Sequence, residues 1–144
     1  MHAEQALARL ADYFETMAPS SVERIGDYYA PDARFKDPFN DVRGVPAIRR
    51  VFQHMFRQVG QPRFIVTERI AGGGGAMLVW QFHFNARFGL AEQAQVIHGA
   101  SHLRFDAAGL VTLHRDYWDA AEELYAKLPL LGALMRALAR KLAA

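Results

Sequence analysis

The N-terminal third of the chain repeats its apolar residues at intervals of three and four, the spacing of an amphipathic helix. In residues 3–18 the repeating positions are Leu7, Leu10, Ala11, Phe14, Met17 and Ala18. Pro19 predicts the end of this first helix. Ser20–Glu23 has a capping-box pattern, which predicts a short second helix as far as Ala30. A third helix is predicted to begin at Pro46, with its apolar side running from Ile48 to Val59.

Beyond Gly60 the apolar period changes to two, which is typical of strands. In the second of these strands Leu78, Trp80, Phe82 and Phe84 fall on one face. Four consecutive glycines, Gly72–Gly75, permit the positive φ angles of a hairpin turn. The predicted strands are 33–37, 63–70, 76–87, 93–105 and 110–118.

Three helices followed by strands predict an α+β fold, with three N-terminal helices packed on a curved, mainly antiparallel sheet. After the last strand, Asp119–Glu122 is a second capping-box pattern and opens a helix that Pro129 interrupts. The chain therefore divides into a domain of residues 1–128 and an extra C-terminal amphipathic helix, residues 129–144.

The composition excludes several classes of protein. At 144 residues and 51% apolar, the chain predicts one domain with a sizeable core. It has no cysteine, which excludes disulfide scaffolds, thiolate metal sites and thiol nucleophiles. It has no apolar run of the roughly 18 residues that a membrane span needs and no signal-peptide pattern, so we expect a cytoplasmic protein.

The net charge of +2 conceals an uneven distribution. Residues 1–126 contain 13 basic and 15 acidic side chains, whereas the remainder contains four basic and no acidic ones. An acidic body argues against nucleic-acid binding. The basic helix has two interpretations: it closes the open end of the fold or packs on a neighbouring subunit, which we favour, or it contacts a membrane surface or a partner.

Two motifs resemble those of the nuclear transport factor 2-like superfamily, which includes ketosteroid isomerases and SnoaL-type polyketide cyclases. One is Tyr28–Pro38, followed by Gly44 and Ile48; the other is the hairpin His102–Val111. The resemblance covers roughly residues 5–119. It implies the cone fold, a homodimer and chemistry that needs no cofactor or metal.

The resemblance also implies roles for individual residues. Asp37 matches the general base of ketosteroid isomerases, and Tyr13 has the spacing of their oxyanion-binding tyrosine. Ser101 occupies the position of their protonated aspartate, a departure that weakens the match to steroid chemistry. On the last strand, His114 and Asp116 resemble the acid/base groups of SnoaL-type cyclases. Apolar substrate would contact the cone wall, to which we assign Trp80, Phe82, Leu103 and Trp118.

Each candidate also has a structural interpretation. Asp37 could anchor the turn after Pro38, and Tyr13 could be a core tyrosine with its hydroxyl satisfied. The six histidines invite a metal site, but His98 and His102 would lie roughly 13 Å apart along one strand, so we predict none.

Two functions follow from these residues. The first is an isomerase or cyclase that moves a proton on a small hydrophobic carbonyl compound, with Asp37 or Asp116 as the proton carrier and Tyr13 and Ser101 stabilising the enolate-like oxygen. The second is a non-catalytic protein that binds or carries a small apolar ligand in the same pocket.

Overall fold

The protein folds as an α+β domain built on one six-stranded sheet. The computed structural model describes residues 2–88, 91–123 and 129–143. The helices are α1 (Ala3–Glu15), a 3-10 helix (Ser21–Asp27), α2 (Val45–Gln58), α3 (Ala120–Glu123) and α4 (Pro129–Leu142). The strands are β1 (Tyr29–Lys36), β2 (Asp41–Arg43), β3 (Gly60–Gly72), β4 (Gly75–Phe88), β5 (Ala91–Phe105) and β6 (Val111–Tyr117).

The sheet order, β2-β1-β6-β5-β4-β3, places the last strand at the centre. All neighbours are antiparallel except β1 and β6, which run parallel, so the sheet is mixed. The β1–β6 register shifts between Tyr29 and Arg34, a stretch that contains Pro31. Because proline has no N–H to give to a ladder, such an irregularity is expected there. This pairing brings β1, the first strand, beside β6, the last strand of the described residues.

Helices α1 and α2 pack on one face of the sheet and enclose the core with it. α1 contacts β3 and β4, while α2 contacts β1 and β3. Each helix turns its apolar stripe inward, as its periodicity predicts. The core residues that are at most 1% exposed include Leu7, Leu10, Val22, Ile25, Ile48, Leu78, Leu103 and Val111.

The second predicted helix is a 3-10 helix, so the N-terminal part has two α-helices rather than three. The Ser20 side chain makes no cap hydrogen bond. Ser21 Oγ instead bonds the backbone N–H and carbonyl of Ala18, at 2.9 and 3.0 Å. A serine that binds the preceding turn competes with helix capping, which explains why the capping-box prediction was wrong here. The short edge strand β2 lies in a stretch predicted to be a loop.

The hairpin turn after β3 and the N-terminal cap of α3 are as the sequence predicts. Gly73 and Gly74 have φ angles of 60° and 79°, as the tetraglycine predicts for a hairpin. Asp119 Oδ1 accepts hydrogen bonds from the backbone N–H groups of Ala121 and Glu122, as a cap of α3. The predicted continuation of this helix over 124–128 lies outside the described residues. Within the described ranges, every helix is too short or too polar to cross a membrane.

Candidate functional site

Strand β6 carries a buried histidine, His114, and a largely buried carboxylate, Asp116. His114 and Asp116 are two residues apart and therefore point to the same face of the sheet. His114 is 2% exposed, which is unusual for an ionisable side chain. Asp116 lies directly opposite Ser101 of β5. Ser101, His114 and Asp116 therefore lie on one face of the sheet.

Five side chains form a continuous chain of hydrogen bonds through this region. Tyr29 Oη lies 2.6 Å from His114 Nδ1, and His114 Nε2 lies 2.6 Å from Asp116 Oδ1. Ser101 Oγ donates to the same Asp116 oxygen at 2.5 Å, and Trp80 Nε1 donates to Ser101 Oγ at 2.9 Å. Among the described residues, the side-chain bonds to Asp116 end on Oδ1, which leaves Oδ2 for a ligand.

The chemistry of these groups fixes the direction of the protons. An ionised carboxylate can only accept, so His114 Nε2 carries a proton toward Asp116. In a neutral imidazole Nδ1 is then an acceptor, and Tyr29 donates its hydroxyl proton to it. Burial and the nearby Asp116 charge raise the pKa of Tyr29 well above its ordinary value, which keeps that proton in place.

Trp80 is held from two sides. Its indole packs on the bare backbone of Gly99, its partner across β4 and β5. A Cβ at Gly99 would lie 2.7 Å from Trp80 Cζ2 and 2.9 Å from Cζ3, closer than carbon atoms approach. Phe64 meets the indole edge-on at 5.9 Å between ring centroids. The absence of a side chain at Gly99 thus lets Trp80 reach Ser101.

In the described part of the chain, Asp116 lines three cavities, and two of them, an inner and an outer one, share Phe64 and Trp80. The inner one, about 20 Å³, is lined by the polar groups of Ser101, His114 and Asp116 and by Phe14, Phe52, Phe64, Val66 and Trp80. The outer one, about 550 Å³, falls in the range of small-molecule sites. Its apolar lining is Phe39, Val51, Met55, Val59, Phe64, Trp80, Phe82, Phe84, Ala86, Ile97 and Trp118, and its polar lining is Asp37, Asn40, His54, Gln58 and Asp116.

Asp37 lies on the outer cavity, but its carboxylate is engaged in its own loop. Oδ1 accepts the backbone N–H groups of Phe39 and Asn40 at 2.8 and 2.7 Å. The Asn40 side-chain amide lies 3.1 Å from each Asp37 oxygen. These contacts are those of the turn-anchor interpretation, and a catalytic role for Asp37 stays a prediction.

Tyr13 does not join the hydrogen-bonded chain. Its hydroxyl donates to the backbone carbonyl of Ser21 at 2.7 Å, and its ring stacks on Tyr28 at 3.9 Å. Its single proton is therefore committed to the backbone, and a role for Tyr13 as an oxyanion donor stays a prediction. Leu103, predicted to touch substrate, is fully buried and pairs with His114 across the sheet. Neither residue is among those that line the two cavities.

Tyr29 and Gly99 belong to this site although the sequence pattern did not single them out. Tyr29 lies within the motif Tyr28–Pro38, but no role was predicted for it. Nothing in the sequence around Gly99 indicates that it belongs to the site. Among the described residues, no three His, Asp or Glu side chains come together as a metal site requires. His98 instead lies 3.3 Å from Glu123 Oε1.

The two buried tyrosines predict a loss of stability at alkaline pH. Burial raises the pKa of Tyr13 to about 12 and raises the pKa of Tyr29 well above its ordinary value. Because these pKa values exceed the unfolded value, their contribution to stability is complete below about pH 10 and falls as the pH rises through the folded pKa values. Titration of tyrosinate absorbance should show Tyr13 ionising near pH 12, and Tyr29 ionising well above pH 10 or upon unfolding. Tyr13→Phe should remove one of these late titrations; an unchanged titration would contradict the assignment.

Comparison with solved structures defines the class of this fold. The chain superimposes with a TM-score of 0.70 on a nuclear transport factor 2-like protein of unknown function from Burkholderia pseudomallei, at 17% identity, with 85% of this chain and 95% of that chain covered. A protein with a ketosteroid isomerase-like fold from Catenulispora acidiphila, solved with trimethylamine, gives 0.69 at 16% identity, with 87% and 94% covered. The fold is that of the nuclear transport factor 2-like superfamily.

Within that superfamily the sequence is more specific. The family model of the SnoaL-like domain matches residues 10–114, and the chain belongs to this family. A steroid Delta-isomerase of Nocardioides simplex is 27% identical over 113 residues, which cover 77% of this chain and 87% of the relative. Asp116 and α4 lie beyond the residues that the family model matches.

Proposed function

We propose that the protein is an isomerase or cyclase that needs no cofactor and moves a proton on a small hydrophobic carbonyl compound in the outer cavity. Asp116 is the proton carrier in this proposal. The observation that carries it is the position of Asp116, a carboxylate between a small apolar cavity and a larger aromatic one, with one oxygen held by hydrogen bonds and the other available to a ligand. The SnoaL-like family and the similarity to a steroid isomerase support the same class of chemistry.

In the first step, Asp116 removes a proton from the carbon next to the substrate carbonyl. The C–H electron pair moves into the carbonyl group and forms an enolate, while Asp116 becomes a neutral acid. His114 and Ser101 hold Oδ1 and so orient Oδ2 toward the substrate carbon.

In the second step, the protonated Asp116 returns its proton. Isomerisation places the proton on a different carbon of a conjugated enolate. Cyclisation uses the enolate carbon to form a bond to a second carbonyl, and the proton goes to the new alkoxide. When Asp116 is protonated, the Ser101 hydroxyl can turn away from it and donate to a substrate oxygen that reaches the inner cavity, which Ser101 lines, while Trp80 keeps Ser101 in position.

The direct test uses a β,γ-unsaturated ketone, whose conjugated isomer is detected by its ultraviolet absorbance. We expect the protein to convert it with saturation kinetics, and an inert apolar ketone that fills the outer cavity should inhibit competitively. Quenching of Trp80 and Trp118 fluorescence measures binding separately. Binding without turnover across a panel of such ketones would refute the enzyme and favour the carrier, for which the same aromatic lining is sufficient.

A further inference from the structure

Helix α4 presents an apolar stripe to solvent. Leu134 and Leu138 are 61% and 48% exposed, and Leu142, one turn further on, is 76% exposed. Residues four apart lie on the same side of a helix, so the three leucines form one continuous stripe. Exposed leucines at this spacing mark a surface that binds something, because a contiguous apolar patch is costly in water.

The charges of the helix indicate what that surface fits. Arg136, Arg140 and Lys141 are its ionisable residues, and it contains no acidic residue. At 100° per residue, Arg136 and Arg140 fall opposite the leucine stripe and Lys141 falls at its edge. A surface that binds such a helix must offer an apolar interior to the leucines and negative charge to the basic side chains.

We propose that α4 binds the surface of an anionic lipid membrane, with its leucines among the acyl chains and its cations at the headgroups. A 14-residue helix is about 21 Å long, too short to span a bilayer and suited to lie in its interface. Pairing of two α4 helices through their leucines is the alternative, and it would appear as a change of molar mass in the leucine variant. The proposal is independent of the activity proposed above.

Co-sedimentation of the full-length protein with vesicles tests the proposal. We expect binding to vesicles of equal parts phosphatidylglycerol and phosphatidylcholine, and at least tenfold weaker binding to phosphatidylcholine alone. Binding should weaken between 0.1 and 0.5 M salt, because salt screens exposed charges. No binding to the anionic vesicles would overturn the proposal.

Matched variants separate the apolar contribution from the charges. Leu134→Gln with Leu138→Gln keeps good helix formers and should lower vesicle binding on the order of tenfold or more. Arg140→Gln with Lys141→Gln should lower it on the order of 30-fold. The control, Ala133→Gln with Ala137→Gln, changes two exposed residues outside the stripe and should bind as the unmodified protein does.

Two results would refute the role of the leucines. Loss of binding in the charge variant but not in the leucine variant would mean attraction by charge alone. The second result is that the unmodified protein does not bind vesicles and the leucine variant has a different molar mass by light scattering. That result would assign the stripe to an interface between copies. Circular dichroism of each variant verifies that α4 remains helical, so that lost binding reports the lost contacts.

Discussion

Asp116→Asn should reduce turnover of a β,γ-unsaturated ketone by a factor on the order of 10²–10⁴, the usual contribution of a general acid/base group. Asparagine has nearly the size of aspartate and keeps an oxygen that can accept from Ser101 and His114. It cannot carry the proton. We therefore expect kcat to fall while ligand binding, measured by tryptophan quenching, and thermal stability change little.

Asp37→Asn is the matched control, because both carboxylates lie on the outer cavity. An asparagine oxygen can still accept the two loop N–H groups that Asp37 binds. We expect turnover within a few-fold of the unmodified protein. The opposite outcome, a large loss with Asp37→Asn and a small one with Asp116→Asn, would transfer the proton carrier to Asp37 and return the site to the arrangement of ketosteroid isomerases.

Gly99→Ala should destabilise the protein by about 1–3 kcal/mol, the usual cost of overpacking a filled interior. The new methyl group would collide with the Trp80 indole, which is 7% exposed and has little room to move. A displaced indole also loses its hydrogen bond to Ser101, so the near-ultraviolet dichroism of tryptophan should change with stability. Urea unfolding gives the free-energy difference.

Two further variants show whether the collision is the cause. Gly72→Ala makes the same change in the same sheet, at a position where a Cβ meets nothing within 4 Å, and should be close to neutral. Trp80→Phe removes the part of the ring that the added methyl group would strike, so the double variant should lose less than the sum of the two single ones. Additive losses would show that Gly99 matters for a reason other than Trp80.

The elements of the fold were largely predictable, because they depend on local patterns. Alternation in β4 assigned Trp80, Phe82 and Phe84 to one face, and all three line the outer cavity. The tetraglycine identified its hairpin through a backbone requirement that is nearly unique to glycine. The 3-10 helix was not predictable, since its pattern fits a cap equally well and the choice depended on which backbone groups Ser21 binds.

The site was predictable only in part, because some of its contacts join residues that are far apart in the sequence. Parity along β6 was sufficient to place His114 and Asp116 together. Nothing local indicates that Tyr29 meets His114, because β1 and β6 are joined by a parallel pairing that periodicity does not encode. Tyr13 and Asp37 were chosen through a resemblance to the family, Asp37 by its motif and Tyr13 by its spacing from Asp37. Spacing does not show that the Tyr13 hydroxyl binds the Ser21 carbonyl.

The pairing of β1 with β6 also has a consequence for the order in which the molecule assembles. Tyr29 and His114 are 85 positions apart, so their contact closes most of the chain into a loop. Contacts of such long range form slowly, because the chain entropy is lost before the contact stabilises anything. During synthesis, β6 leaves the ribosome after all of its sheet neighbours. Strand β6 therefore completes the sheet and supplies both His114 and Asp116. A nascent chain that ends before β6 lacks the proposed proton carrier.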